Sequence, residues 1–395
     1  MNLKESVVES ILTSVDANRL LDTAVALVEV PSPTRSAGDV ANRLDEILTA
    51  DGFKVERPEA DWPTAPAVVV RFDTGKSGRT LQFDGHLDTV HLPFVPPRVE
   101  DGILYGSGCS DMKGGIAAFV EALRVLRESE ALEGGGVLLT AHDHHEGPWG
   151  DRRQLKALIK AGYKGDAVLL PEYLADRLPI AGRGMAIFEI TLDRDGAPVH
   201  EVLRDPDLPD VLSAGAELVC AFQDMDKALM KNTHALTGRD SVFVGQMASG
   251  EIYNQYPTTC KVNGTRRWVT PGSAEDMEKE IRDTVSQVTG TGDIRINVDI
   301  SIQGDAFQVS ETDPIVEAFQ EAHTAVTGSP LPFGGKPFVD DGNTFSALGG
   351  IPPLTHGPAA KGAHTLNEEV SIDELVRVAK VYALTAVGYC AGGQE

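Results

Sequence analysis

The sequence predicts an α/β protein: a mixed-sheet domain into which a smaller α+β domain is inserted. Three observations carry this expectation. Strand-like and helix-like stretches alternate up to about residue 180. The pattern then changes near Gly182 to long alternating strands with two amphipathic helices. Beyond about residue 302 the chain returns to short helices and strands. A chain of 395 residues is long enough for two domains, assigned here as 1–182 plus 303–395, and 183–302.

Taken in order, MNLKESVVESILTSVD and residues 18–30 and 37–52 read as amphipathic helices, with PSPTRSAGD as a loop. VVVRFD and RTLQFDGHLD read as strands, the second ending on His86 and Asp88. Residues 113–128 form a helix opening directly after Asp111. GGGVLLTAHD and DAVLLPEY are buried strands. This succession implies a sheet that presents ligands at the carboxyl ends of its strands. In the second domain, RGMAIFEITLDRD, SVFVGQM, CKVNGTRRWVT and INVDISIQ are strands, and 207–230 and 273–289 are helical. The sequon Asn263-Gly264-Thr265 reads as a turn, and the glycine-rich stretch at 289–293 as a loop. There is no internal repeat and no low-complexity segment.

Hydrophobic content of 42% and charged content of 24% are those of a soluble globular protein. A net charge of -24 excludes nucleic acid and anionic membrane as expected partners, because phosphate binding needs a basic face. The N-terminus lacks the basic start and apolar run of a signal peptide, and no apolar stretch is long enough to span a bilayer. Cys109, Cys220, Cys260 and Cys390 are widely spaced with no CxxC pair, so a reducing cytoplasm is expected.

The chemistry concentrates in scattered acids and histidines. His86 and Asp88 lie in FDGHLDTV, Asp111 in YGSGCSDMKGG, Glu146 in HDHHEGPWGD, Glu172 in VLLPEY and His364 in KGAHTLNEEV. Imidazole and carboxylate together suit zinc, manganese or cobalt better than calcium or magnesium. His86 and Asp88 are two apart at a strand end, so both face one side. His86 can bind metal while Asp88 accepts its other ring N–H. Glycines around Asp111 allow close approach of backbone to an ion, although a carboxylate there also suits a helix N-terminus. Glu172 ends a buried apolar strand, where a charge needs a partner or a metal.

The order and contexts of these motifs, from about residue 20 to the C-terminus, resemble one family. It is the co-catalytic metallopeptidase family of carboxypeptidase G, aminoacylase, acetylornithine deacetylase and succinyl-diaminopimelate desuccinylase. The resemblance implies a phosphorylase/hydrolase-like catalytic domain and an inserted ferredoxin-like dimerisation domain. It implies one or two divalent transition metal ions, zinc, manganese or cobalt. Asp111 would bridge them, Glu172 would join His86 on one ion, and His364 would serve the other. The string VDDGNTFSALGGIP resembles the glycine-rich loop that shapes the family's pocket, so Asp341, Gly342 and Asn343 are read as pocket architecture.

One segment departs from the family. Where it usually has Asp-Glu-Glu before a glycine, this chain has His144-His145-Glu146. The family's first glutamate is the catalytic base and its second binds metal. One register keeps Glu146 as ligand and puts His145 in the place of the base. The other makes His145 the ligand position and His144 the base position, leaving Glu146 as acid/base. The usual catalytic glutamate is absent from both. Histidine can replace it because the free imidazole titrates near neutrality.

By the same resemblance, His200 in DGAPVHEV reaches into a neighbouring subunit's site to stabilise an oxyanion, which requires a homodimer or higher homo-oligomer. Asn254 in IYNQYPTT and Arg267 in GTRRWVTPG match side chains that receive a substrate carboxylate, with Arg266 an equally available arginine. The expected function is hydrolysis of a C–N bond in a small carboxylate-bearing substrate, an N-acyl amino acid or small peptide. Hydrolytic deamination of an activated aromatic amine, as in 5-nitroanthranilate aminohydrolase, is the alternative. A non-catalytic metal or ligand-binding relative is the third reading.

Overall fold

In the computed structural model, described for residues 3–288 and 293–392, the chain divides into two compact units. The first comprises Met1–Ile180, Val309–Gly334 and Asp340–Glu395, and the second Ala181–Gln308 with Gly335–Val339.

The first unit is built on a six-stranded mixed sheet in the order Val55–Glu56, Val68–Asp73, Gly136–His142, Thr80–His86, Ala167–Leu170, Pro353–Thr355. The last four strands run parallel, so their carboxyl ends share one edge. His86 and His142 pair in register at that edge. Strand Gly136–His142 is buried at every position, as expected of a largely apolar strand covered on both faces.

Helix Lys113–Ser129 packs against helices Ala17–Val28 and Ile372–Cys390 and is buried along nearly its whole length. The Phe83 and Phe119 rings stack at 4.4 Å beside Tyr382. Each such buried ring contributes roughly 1.5–3 kcal/mol. Two buried charges of this helix are ion-paired, Glu121 with Arg19 at 2.8 Å and Arg124 with Asp51 at 2.7 Å, while buried Lys113 donates from Nζ to the Val30 carbonyl at 2.8 Å. Two glycines let its N-terminus abut the chemistry-bearing segments. A Cβ at Gly114 would lie 2.3 Å from the Cys109 carbonyl oxygen, and one at Gly115 2.5 Å from that of Pro171.

A smaller sheet, Ala360–Lys361, Glu369–Ser371, Ile103–Tyr105 and Arg98–Glu100, carries two further loops. One leads from Tyr105 into Asp111, and the other holds His364.

The second unit is a four-stranded antiparallel sheet ordered Ser241–Ser249, Thr259–Trp268, Gly184–Arg194, Ile294–Gly304. Helices Val211–Leu229 and Ala274–Val288 complete it. Phe188, Ile190, Leu192, Leu218, Phe222 and Ile281 form its core. The first helix starts later than its periodicity suggests because Asp210 caps it, accepting from Ser213 N at 3.0 Å. Asn263-Gly264-Thr265 is not a turn but the middle of strand Thr259–Trp268. Gly264 fits there because a side chain would meet the Phe243 carbonyl and the Phe188 ring. Gly335–Val339, assigned from sequence to the flanking catalytic segment, packs with the second unit, where Gly335 lies against Leu236. The stretch at 289–293 falls outside the described residues but for Asp293. Among the described residues no helix is long and apolar enough to cross a membrane.

Candidate metal centre

Five of the sequence-selected residues meet at the carboxyl edge of the parallel strands. His86 is the last residue of its strand, and its Nδ1 lies 2.9 Å from the backbone carbonyl of Asp88. A carbonyl only accepts, so Nδ1 carries a proton and Nε2 is the ring nitrogen left to face an ion. That Nε2 stands 3.2 Å from Asp111 Oδ1, and both atoms are buried with no hydrogen-bond partner. The other Asp111 oxygen, Oδ2, lies 3.3 Å from His364 Nε2, which is also 3.1 Å from Glu146 Oε2. Asp111 therefore has one oxygen toward each histidine. It caps nothing: the following helix has Met112 at its N-cap position and no side-chain cap.

Glu172 lies two residues beyond its strand, with Oε1 3.9 Å from His145 Nε2. The His145 ring stacks on His86 at 4.0 Å. Donor atoms of His86, His145 and Glu172 lie within 4.8 Å of one another, as do those of His86, Asp111 and Glu146. Two orphaned buried donors facing each other, inside a mixed imidazole and carboxylate set, fit a divalent transition metal.

The electrostatics follow from this crowding. Burial pushes the His86 imidazole down, but Asp111, Asp88 and Glu146 lift it well above the ordinary histidine range. Hydrogen bonds that His364 donates to the Asp111 and Glu146 carboxylates raise it to about 10. Burial, with Asp111 next, drives Glu172 well above the usual carboxylate value. Negative charge in excess of cations is what a bound metal neutralises.

Asp88 does a different job from the one expected. Its carboxylate stands 3.7 Å from His86 Nδ1, and its oxygens accept instead from the backbone N–H groups of His145 and Glu146, at 3.1 and 2.9 Å. It is the backbone carbonyl of Asp88 that fixes the His86 tautomer. The side chain ties the strand end to the histidine-rich segment. That segment turns through His144 in the left-handed region, φ 74°, and His364 is likewise left-handed at φ 61°. Each such non-glycine residue costs of order 1 kcal/mol, and such strain concentrates at functional sites.

His144 packs edge-on against Trp62 at 4.3 Å, and its ring nitrogens make no hydrogen bond. His145 instead donates from Nδ1 to Asp341 Oδ2 at 2.8 Å. Burial alone would raise the Asp341 carboxyl, but His145, His142 and Arg152 hold it well below the carboxylate range. Behind it lies a buried trio, His142 Nε2 sitting 3.3 Å from Asp84 and 3.5 Å from Asp341. Between these carboxylates His142 rises to about 9 in spite of burial.

Two contributions were missed in the sequence. Glu368, two residues upstream of Val370, accepts from Gly108 N, Ser110 N, Ser110 Oγ and Asp111 N at 3.0–3.3 Å, and so holds the Asp111 loop. Asp341, read as pocket architecture, touches His145. The repeated acid in HTLNEEV and the paired acids in VDDGN were the available signals.

The remaining candidates lie in the second unit. His200 and Asn254 are adjacent, with Asn254 Nδ2 3.1 Å from His200 Nε2. Arg266 is fully buried and ion-paired to Glu280 at 2.8 Å and Asp240 at 3.2 Å. Arg267 is half-buried, and its Nη1 is buried without a hydrogen-bond partner.

Two histidines and three carboxylates gathered beside the carboxyl ends of the parallel strands make a candidate metal centre on an α/β fold. Residues 83–387 match the model of Peptidase family M20/M25/M40, and the chain belongs to that family. It is accordingly a hydrolase acting on carbon–nitrogen bonds, with donor groups that suit a divalent metal. It is 28% identical over 392 residues to succinyl-diaminopimelate desuccinylase of Rhodospirillum centenum, covering 93% of this chain and 96% of that one. Its fold is similar to aminopeptidase PepT from Bacillus cereus, with a TM-score of 0.78, 18% identity and coverage of 95% and 99%. It is also similar to the YXEP protein of Bacillus subtilis, a dinuclear metal binding peptidase, with a TM-score of 0.68, 14% identity and coverage of 94% and 97%.

Proposed function

We propose that this chain hydrolyses the amide of an N-acyl amino acid or small peptide with a free carboxylate. The observation that carries the reading is Asp111, with one oxygen on the His86 side and one on the His364 side. His86, Asp111 and Glu172 would hold one ion, and Asp111, Glu146 and His364 a second. A zinc, manganese or cobalt ion held by these residues would supply Lewis acidity toward the scissile carbonyl and toward water near neutral pH. His145 takes the proton of the attacking water at Nε2 and returns it to the leaving nitrogen. The free lone pair on that Nε2 supports the role, and the Trp62-packed ring of His144 makes it the poorer base. Asp88 positions both His145 and Glu146 through their backbone.

Asn254 and Arg267 hold the substrate carboxylate in this reading, and the unpaired buried Nη1 of Arg267 supports it over Arg266. Arg267→Ala is expected to raise KM for carboxylate substrates roughly tenfold or more, as loss of a charge-assisted hydrogen bond does. Arg266→Ala leaves Asp240 buried and unpaired and should cost roughly 3 kcal/mol in denaturant unfolding. Equal KM in Arg267→Ala would remove the assignment.

The second unit is proposed to dimerise, with His200 serving the neighbouring subunit's site. Support comes from an exposed apolar cluster around it: Val202 at 74%, Leu203 at 78%, Ile252 at 60% and Tyr253 at 101% exposure. Such a patch marks an interaction surface. Sedimentation at micromolar concentration should give a dimer or higher species. A monomer at every concentration would remove the role of His200. The enzyme is proposed to work in the cytoplasm, in keeping with four free cysteines.

Deamination of an activated aromatic amine is the second reading. One observation favours it: an imidazole stands where the family has its catalytic glutamate. A panel of N-succinyl and N-acetyl amino acids, dipeptides and 5-nitroanthranilate, with added zinc, manganese or cobalt, separates the two. Release of acid and amine supports amide hydrolysis. Ammonia from the aromatic amine alone would overturn it.

A further inference from the structure

We propose that Asp341 is a positioning residue for proton transfer, holding His145 so that its Nε2 lone pair faces the carboxylate cluster. The proposal rests on the reading of His145 as the proton-moving group and adds what makes that group usable.

An imidazole standing in for a carboxylate has a difficulty the carboxylate lacks. Its two nitrogens are inequivalent, and only the deprotonated one can accept a proton. A free ring can also rotate about its side-chain bonds and turn the wrong atom to the site. Both freedoms are removed here. The hydrogen bond from His145 Nδ1 to Asp341 Oδ2, at 2.8 Å, assigns the proton to Nδ1. Stacking on His86 at 4.0 Å and nearly parallel, 11°, fixes the ring plane.

Asp341 is itself held from three sides. Its Oδ1 accepts from Arg152 Nε at 3.0 Å. Its Oδ2 lies 3.5 Å from His142, which Asp84 braces at 3.3 Å. Its backbone lies in the helical turn Asp341–Thr344, which Asp340 and Asn343 close with a reciprocal capping box. Asp340 is tied in turn to Thr355 at 2.6 Å. The Asp341 carboxylate is fully buried, so no water competes for His145 there.

The sequence departure is thus two-sided. The histidine-rich segment supplies His142 and His145, and the acids of VDDGN supply the group between them. Partners that orient a working imidazole are typically worth 10–100-fold in activity.

The test is a double-mutant cycle on the metal-loaded enzyme, using the amide substrate of the panel that is turned over fastest. Asp341→Asn is expected to lower kcat roughly 10–100-fold, with KM and bound metal at wild-type values; the melting temperature falls, because Arg152 and His142 lose a buried anion, and it does so in both backgrounds of the cycle. In a His145→Ala background the same change should lower kcat no further, because it acts through a ring no longer present. Asp341→Glu, which keeps the carboxylate, should restore part of the rate. An equal loss of kcat in both backgrounds overturns the proposal while leaving His145 in its role. So does a loss of metal with no specific fall in kcat. Wild-type turnover by His145→Ala removes the reading of His145, and this proposal with it. If Asp341→Asn does not fold, Asp341→Ser, which leaves room for a water, takes its place in the cycle with the same outcomes.

Discussion

Asp111→Ala should abolish metal-dependent turnover on every substrate of the panel and lower the bound metal. The geometry leaves no substitute. One Asp111 oxygen stands 3.2 Å from His86 and the other 3.3 Å from His364, so one residue completes both donor sets. Without it, His364 keeps Glu146 alone and His86 keeps Glu172 and the stacked His145. The Asp111 backbone is anchored separately by Glu368, so the loss falls on coordination and not on the loop. Metal analysis alongside kinetics is the measurement. Full activity in the variant would sink the assignment of two ions bridged by one carboxylate.

His145→Ala and Glu146→Ala should fail in different ways although the residues are adjacent. Loss of a general base lowers the rate by roughly 10²–10⁴-fold. His145→Ala should show that loss with metal content near wild type, and His145→Glu should recover part of it. Glu146→Ala should lose metal, because its carboxylate lies 3.1 Å from His364 and shares that histidine with Asp111. The opposite pattern, metal lost with His145 and kept without Glu146, would exchange their roles. It would also strengthen the aromatic deamination reading, since the proton-transfer geometry would then differ from that of the peptidases.

The strands and helices that deliver the centre were legible because each carries its own local signal. RTLQFDGHLD, GGGVLLTAHD and DAVLLPEY are strand-like runs ending in chemistry, and KGGIAAFVEALRVLRE has helical spacing. What could not be read was contact across distance. His145 and Asp341 are 196 residues apart, and Glu368 lies 260 residues from the Gly108 it holds. No period or turn residue marks such pairs. Asp88 shows a subtler failure. Its spacing from His86 was right, but that spacing does not say whether backbone or side chain makes the bond. Asn263-Gly264-Thr265 was misread because glycine also serves close packing inside a strand, where Phe188 and Phe243 leave no room for a Cβ.

The candidate donors are contributed from residue 86 to residue 364, and the loops bearing them are anchored by the two sheets of the first unit. An unfolded chain scatters these groups and offers an ion no preformed cage. Metal is then a ligand of the native state alone, and its occupancy adds to folding free energy by mass action, about 2.7 kcal/mol at a free concentration one hundred times Kd. The excess negative charge gathered at the strand ends, a burden on the empty protein, becomes the source of that added stability. The cofactor that serves the chemistry also acts as a late reporter that the fold has closed.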